Sequence, residues 1–284
     1  MIGPATSGNM KAAREAANQN KIPLITGSAT IDDLTVDKNG KLMPYIFRTC
    51  YKDSFQGHAM AVYVTKTLKL KKIAVLTDST SDYSKGLSKY FDDTFKKNGG
   101  SIVDEESINS ADKDFKAVLI KLKAKNPQGI YLPCYYEAAS QIIKQARELG
   151  IKASFFGGDG YGDPGMVKLA GASNLKNVYY TNHYAPDSKE AAVLKFKQAF
   201  KKKYGKEPNA FNALAYDAAN LLFSAIKKAG STDGAKIKAA LEQTTGFKAV
   251  TGTFSIDDKH NTVKSTVILK KDGSKDVYQA TVQP

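Results

Sequence analysis

Arginine is almost missing from this chain. Of its 42 basic residues only Arg14, Arg48 and Arg147 are arginines, and the remaining basic excess is lysine spread along the sequence. A formal charge of +14 and an isoelectric point near 9.4 would suit a polyanion or an anionic envelope surface. Base-edge and phosphate recognition, however, favour the two-pronged arginine fork, and no dense basic run interleaved with aromatics occurs here. Nucleic acid is therefore not an expected partner, and the lysines read as a solvated surface. Cysteine and histidine are scarce as well. Cys50 and Cys134 have no CxxC spacing, and His58, His183 and His260 stand far apart, so neither a metal site nor a disulfide framework is indicated. Cys134 has no histidine near it in sequence and reads as a small buried thiol rather than a nucleophile. The chain lacks a Ser-His-Asp order and a GxSxG elbow, which disfavours a hydrolase. The glycine-rich run 157–162 has neither the lysine of a phosphate loop nor the GxGxxG spacing, so no nucleotide and no other cofactor is expected. No run approaches the roughly 20 apolar residues of a spanning helix, and no basic segment followed by an apolar one opens the chain. It reads as a soluble protein that carries no address and no signal peptide.

What is present is enough for a large core. With 284 residues, 42% of them hydrophobic, the chain suits one large domain or two lobes. Short apolar runs alternate with amphipathic ones. Strand patterns at 22–25, 45–48, 73–76, 101–103, 129–132 and 153–156 are separated by helical patterns from 53 to past 64, 82–97, 112–125 and up to 149. In the third of these helices Phe115, Val118, Leu119 and Leu122 share one face, with lysines opposite. Strict alternation of strand and helix predicts a mostly parallel, doubly wound α/β sheet. After the strand pattern 177–181 three helical patterns follow in succession, at 189–203, 210–228 and 235–242, as though the chain had moved to another body. The tail returns to strands at 252–256, 262–269 and 277–282, with a hairpin turn at Lys271-Asp272-Gly273.

Small hydroxyl residues and one carboxylate stand where strands end: Gly3-Pro4-Ala5-Thr6-Ser7-Gly8, Thr26-Gly27-Ser28-Ala29-Thr30 and Gly157-Gly158-Asp159-Gly160. In open α/β sheets the crevice beyond the carboxyl ends of the strands is the ligand-binding region. Hydroxyls and backbone N–H groups suit a carboxylate and Asp159 suits an ammonium, so the pattern fits a small zwitterion. Ser7 falls at an expected N-cap, where its hydroxyl and the first-turn N–H groups can share an anion at the positive end of the helix dipole. Ser7 and Thr30 also read as an ordinary cap and an ordinary turn, and Asp159 between glycines as an ordinary turn residue. No lysine lies in the turn of Asp159, and a buried carboxylate needs a partner. Tyr135 and Tyr136 follow a strand and read either as core or as cleft wall.

Several segments resemble, in order along essentially the whole chain, the branched-chain amino-acid-binding proteins of ABC importers, which have the type I periplasmic-binding fold. They are Ile2 to Gly8, Ile22 to Thr30, Phe47-Arg48-Thr49 with Asp53-Ser54-Phe55-Gln56-Gly57, Asp114-Phe115, Gln145-Ala146-Arg147 and Ala215-Tyr216-Asp217. Val250-Thr251-Gly252 through Asp257, with His260 to Lys264, resembles the lipoprotein versions of Gram-positive bacteria. The resemblance implies a non-catalytic protein with two lobes that close on a leucine, isoleucine or valine, and partner permease subunits in the membrane. It places the protein in the periplasm or, lipid-anchored, on the outer face of the membrane. Ser7, Ser28 and Thr30, with Ala29 between the last two, fall on the family's carboxylate positions. Tyr135 and Asp159 fall on its ammonium positions, and Tyr83 matches a cleft tyrosine across a one-residue length difference after Asp78. Asp159 replaces the glutamate of some members, and Thr6 stands where some have a disulfide cysteine.

The same resemblance makes residues 1–50 and 184–256 the first lobe and 51–183 and 260–284 the second, with hinge crossovers near 50–53, 181–186 and 256–260. The first lobe is then expected to be incomplete, because the family's first βαβα segment, signal peptide and lipidated cysteine have no counterpart here. Two alternatives stand beside this reading. One is a fragment that binds poorly or dimerises through an exposed sheet edge. The other is an α/β enzyme with Asp159 as base or a serine as nucleophile.

Overall fold

The computed structural model describes residues 1–284. In chain order the elements are α1 (Ser7–Gln19), β1 (Leu24–Thr26), β2 (Ile46–Arg48), α2 (Asp53–Val62), β3 (Lys72–Asp78), α3 (Asp82–Lys97) and β4 (Ser101–Ile108). Then come α4 (Lys116–Ala124), β5 (Gly129–Tyr131), α5 (Tyr136–Glu148), β6 (Ser154–Gly157), α6 (Gly165–Ala170), β7 (Val178–Asn182), α7 (Ala191–Tyr204) and α8 (Ala210–Ala229). The chain ends with α9 (Gly234–Glu242), β8 (Phe247–Ala249), β9 (Gly252–Phe254), β10 (Thr266–Asp272) and β11 (Lys275–Val282). It divides into two compact units: unit 1 is Met1–Lys52, Ser188–Ser265 and Gln283–Pro284, and unit 2 is Asp53–Asp187 and Thr266–Val282. No helix is long and apolar enough to cross a membrane.

In unit 1, β1 and β2 pair in parallel with Ile25 opposite Phe47, and Ile2 bridges to Ile25 on the other side. Successive residues of a strand face opposite ways, and both faces are apolar here. Leu24 and Ile46 pack with Met10 and Ala17 of α1, while Ile25 and Phe47 pack with Ala218, Leu221 and Ala225 of α8 and with Leu241 of α9. Each buried side chain of this size contributes about 1.5–3 kcal/mol against solvent exposure. Gly27 lets α8 approach, since a Cβ there would sit 2.9 Å from the Leu214 carbonyl oxygen. Asp217 of α8 is buried and accepts from the Val250 and Thr251 N–H groups at 2.8 and 2.9 Å, tying the β8–β9 turn to the helix.

Unit 2 carries a seven-stranded sheet in the order β11-β10-β7-β6-β5-β3-β4. Its strands from β4 to β7 are parallel, and β10 and β11 are antiparallel additions. Alternation again divides the core. Ile73, Val75, Tyr131, Phe156 and Ile268 face α3, and Ala74, Leu76, Ile130, Phe155 and Leu269 face α5. The expected mixed α/β architecture is present. One helix starts later than its periodicity predicts: α4 begins at Lys116 rather than near 112, because Asn109 Oδ1 and Asp114 Oδ1 take the N–H groups of Ala111 and Lys116 and Gln145 Oε1 takes that of Phe115. Side-chain acceptors thus hold that stretch in turns. The tail strand expected over 262–269 runs instead over Thr266–Asp272, paired with β7 and β11.

The scarce arginines have a common role. Arg14 donates to the carbonyls of Asp33, Leu34 and Val36, Arg48 to those of Thr30 and Ile31, and Arg147 to those of Ile151, Ala153, Asn174 and Lys176. A planar fork with five donors spread over three nitrogens can hold carbonyls set further apart than the three donors of a single ammonium can reach.

Candidate functional site

The unit 1 residues singled out from the sequence come together around one turn. After β1, Thr26 Oγ1 donates to the Pro4 carbonyl at 2.9 Å and accepts the Ser28 and Ala29 N–H groups at 3.3 and 3.0 Å, which closes the turn over Gly27. Ser28 Oγ donates to the Ala5 carbonyl at 2.8 Å, fastening that turn to the segment leading into α1. Ser7 is not the N-cap: Thr6 occupies that position, Ser7 is the first helical residue, and its Oγ accepts the Ile31 N–H at 3.3 Å. The N–H groups of the first helical turn still lack intrahelical acceptors and carry the positive end of the helix dipole. Arg48, fully buried, holds the far side of the turn through the Thr30 and Ile31 carbonyls at 3.0 and 2.7 Å. Thr30 is fully buried too, yet its Oγ1 makes no hydrogen bond within the protein. A buried hydroxyl without a partner costs about 1–3 kcal/mol, so Thr30 is held by its surroundings rather than by its own bonding.

The unit 2 residues centre on Asp159, which follows β6 and is 3% exposed. The sequence left its partner open; the structure supplies three within the protein. Tyr83 of α3 donates its hydroxyl to Oδ1 at 2.9 Å and accepts the Gly160 N–H at 3.0 Å. Gln56 Nε2 reaches Oδ1 at 3.3 Å, and His183 Nε2 lies 3.0 Å from Oδ2. Gln56 is the hub: its Nε2 also donates to Asp53 Oδ1 at 2.8 Å, and its Oε1 accepts from the Asp159 N–H at 3.2 Å and Thr181 Oγ1 at 2.7 Å. Burial first, and then the Asp159 charge, push the Tyr83 hydroxyl well above its ordinary range, so it stays a donor. Tyr135, half-buried at the N-cap of α5, stacks on Tyr83 with centroids 4.8 Å apart and 7° between the planes. Gly158 is required by this packing, because a Cβ there would lie 2.4 Å from the Tyr83 hydroxyl. Two buried carboxylates, Asp53 and Asp159, thus share one amide donor, and the ion-pair partner of Asp159 is a histidine rather than a lysine or arginine.

Sequence reasoning did not single out Gln56, Asp53, Arg48 or His183 as parts of a site. The first three lay within quoted segments, whereas nothing local marks His183. Cys134 is buried, and burial raises its thiol far from a reactive range.

An α/β scaffold carrying turn-borne hydroxyls and a helix N-terminus in one unit, and a buried, hydrogen-bonded carboxylate in the other, has the features of a binding protein for a small polar solute. The sequence pattern of the periplasmic binding protein family matches residues 1–274. The chain belongs to that family, whose members are solute-binding proteins rather than enzymes, and its α/β fold is theirs. It is 38% identical to the branched-chain amino-acid-transporter substrate-binding protein LivJ of Streptococcus pneumoniae, solved with isoleucine, at a TM-score of 0.92 that covers 100% of this chain and 79% of that one. The leucine-binding protein LivK of Thermotoga maritima is 35% identical at a TM-score of 0.92, with the same coverage of 100% and 79%. A Leu/Ile/Val-binding protein homologue of Brucella melitensis is 31% identical over 91% of this chain and 68% of its own length. The chain spans about two thirds of the length of the curated relatives it matches, from 63% to 68% for the first three.

Proposed function

We propose that this protein is the solute-binding component of an ABC importer, taking up a branched-chain amino acid outside the membrane and delivering it to permease subunits. Ser7, Ser28, Ala29 and Thr30 receive the ligand carboxylate, and Asp159 receives its ammonium, with Tyr135 and Tyr83 beside it. The reading rests above all on Asp159, a buried carboxylate with three polar protein neighbours and no lysine or arginine among them. Beside His183, Oδ2 of Asp159 keeps one lone-pair direction that a ligand ammonium can fill with a charge-assisted bond. The unpartnered Thr30 hydroxyl supports the carboxylate end. Names of relatives that bind leucine, isoleucine or valine support the choice of side chain. Ligand-driven closure of the two units, with hinges near 50–53, 181–186 and 256–260, is the motion by which such a protein would signal occupancy. By the same family resemblance it works in the periplasm or lipid-anchored at the extracellular face of the cell membrane. Isothermal calorimetry of the purified chain against leucine, isoleucine, valine and then the other amino acids tests the proposal, with size exclusion on the same sample. Saturable one-to-one binding by a monomer is expected; no heat with any amino acid refutes it.

A further inference from the structure

Asp159 does not stand alone. Its Oδ1 already accepts from Tyr83 and Gln56, which fills both of that oxygen's lone-pair directions. Its Oδ2 accepts from His183 Nε2 at 3.0 Å and keeps one direction. An incoming ammonium and the His183 proton must therefore share Oδ2. His183 is 4% exposed and stands immediately after β7, so the pair is shielded from solvent screening.

Resting on the function proposed above, we propose that His183 is the specificity-determining residue of the ammonium subsite, its proton deciding whether the subsite prefers ligands that carry an ammonium over those that lack one. With His183 neutral, the Asp159–His183 pair carries one negative charge and an ammonium gains a charge-assisted bond. With His183 protonated, that charge is already spent, and an ammonium at Oδ2 meets an imidazolium on the same oxygen. Imidazoles change charge between about pH 5 and 8, a range in which a leucine ammonium does not.

The other titratable groups around this pair behave differently. Tyr83 of α3, Tyr131 of β5, Tyr161 after Asp159 and Tyr180 of β7 are all raised, first by burial, and the Cys134 thiol is raised in the same way. On β10, Lys271 is paired with Asp276 at 2.8 Å, and Lys270 lies over Tyr179. Tyr184 follows His183 in sequence, Tyr135 stacks on Tyr83, and Asp53 of α2 reaches the pair through Gln56. Asp53 and Asp92 of α3, whose carboxyl burial raises to about 7, are the competing carboxylates, both acting on Tyr131 together with Asp159.

Calorimetric titration with leucine and with its deaminated analogue 4-methylpentanoate, from pH 5.5 to 8.5 in buffers of contrasting ionisation enthalpy, tests the assignment. Leucine binding is expected to release up to one proton and to weaken by up to about tenfold per pH unit on the acid side, while 4-methylpentanoate does not follow it. The leucine preference therefore collapses in acid, and His183→Gln removes that pH dependence. A wild-type preference that is flat with pH, with no proton released, overturns the inference and leaves the function intact. A pH profile that survives His183→Gln assigns the proton to a carboxylate, Asp53, Asp92 or Asp159 itself, and overturns it as well. Should His183→Gln fail to fold or bind, the wild-type proton count decides alone. No binding of leucine or any other amino acid at any pH refutes the function and this inference together.

Discussion

Replacing Thr30 by valine separates a binding role from a structural one. The two side chains have nearly the same shape, and Thr30 is fully buried with an Oγ1 that bonds to nothing in the protein. Only its carbonyl is used by the scaffold, through Arg48 at 3.0 Å, and the substitution keeps that carbonyl. Removing a buried, unpaired hydroxyl relieves a desolvation cost of about 1–3 kcal/mol, part of which the rest of the turn offsets. Thr30→Val is therefore expected to raise stability by about 1 kcal/mol, about 2 °C in the melting temperature of the ligand-free protein. A hydroxyl-to-carboxylate bond is worth about 1.5–3 kcal/mol, so leucine affinity should fall about 10- to 100-fold. Differential scanning calorimetry without ligand and isothermal calorimetry with leucine read the two effects. A loss of more than 1 kcal/mol in stability with unchanged leucine binding would refute the reasoning, since the hydroxyl would then be a structural bond.

Three further outcomes are expected. Gly158→Ala should cost about 1–3 kcal/mol and weaken leucine binding, because its Cβ would lie 2.4 Å from the Tyr83 hydroxyl; adding Tyr83→Phe should recover part of the loss, and strictly additive effects in urea unfolding would contradict the contact. Arg48→Met removes the donor held by the Thr30 and Ile31 carbonyls, and should lower stability by about 3 kcal/mol and abolish leucine binding, read by chemical denaturation and calorimetry. Lys264 in unit 1 donates to Thr251 Oγ1 at 2.6 Å, and burial, only partly offset by Asp217, lowers its ammonium to about 8 from 10.5. Below about pH 8 both states hold the proton and the buried cation costs stability in full; between about 8 and 10.5 the unfolded chain alone holds it, so stability rises with pH. Against Lys264→Met, the wild type should gain up to about 3 kcal/mol between pH 7 and 10 in urea midpoints, and parallel curves would exclude the effect.

Much of the architecture is readable without coordinates because its signals are local. The runs around Ile73, Ile130 and Phe155 are continuous apolar segments since both faces of a parallel sheet are covered, and Ser81, Asn209 and Asp233 cap α3, α8 and α9 with their own side chains. Ser7, Ser28 and Thr30 are legible for a related reason: a strand that ends beside a helix start exposes backbone donors, and small hydroxyls suit that place. The start of α4 was not readable, because Gln145, which takes the Phe115 N–H, lies 30 residues away.

By itself, then, the amino-acid sequence determined the alternation of strands and helices and the two-faced core, and it marked the turns that carry Ser7, Ser28, Thr30 and Asp159. Tertiary structure alone decided how those turns are charged. Gln56 and Asp159 are 103 residues apart, Tyr83 and Asp159 76, and His183 and Asp159 24, and no periodicity or motif links them. They meet because β6 and β7 lie side by side in the sheet while α2 and α3 cover the face that Tyr131 and Phe156 present. A buried carboxylate is defined by what surrounds it, and the groups around Asp159 come from three elements besides β6, namely α2, α3 and β7 with its end.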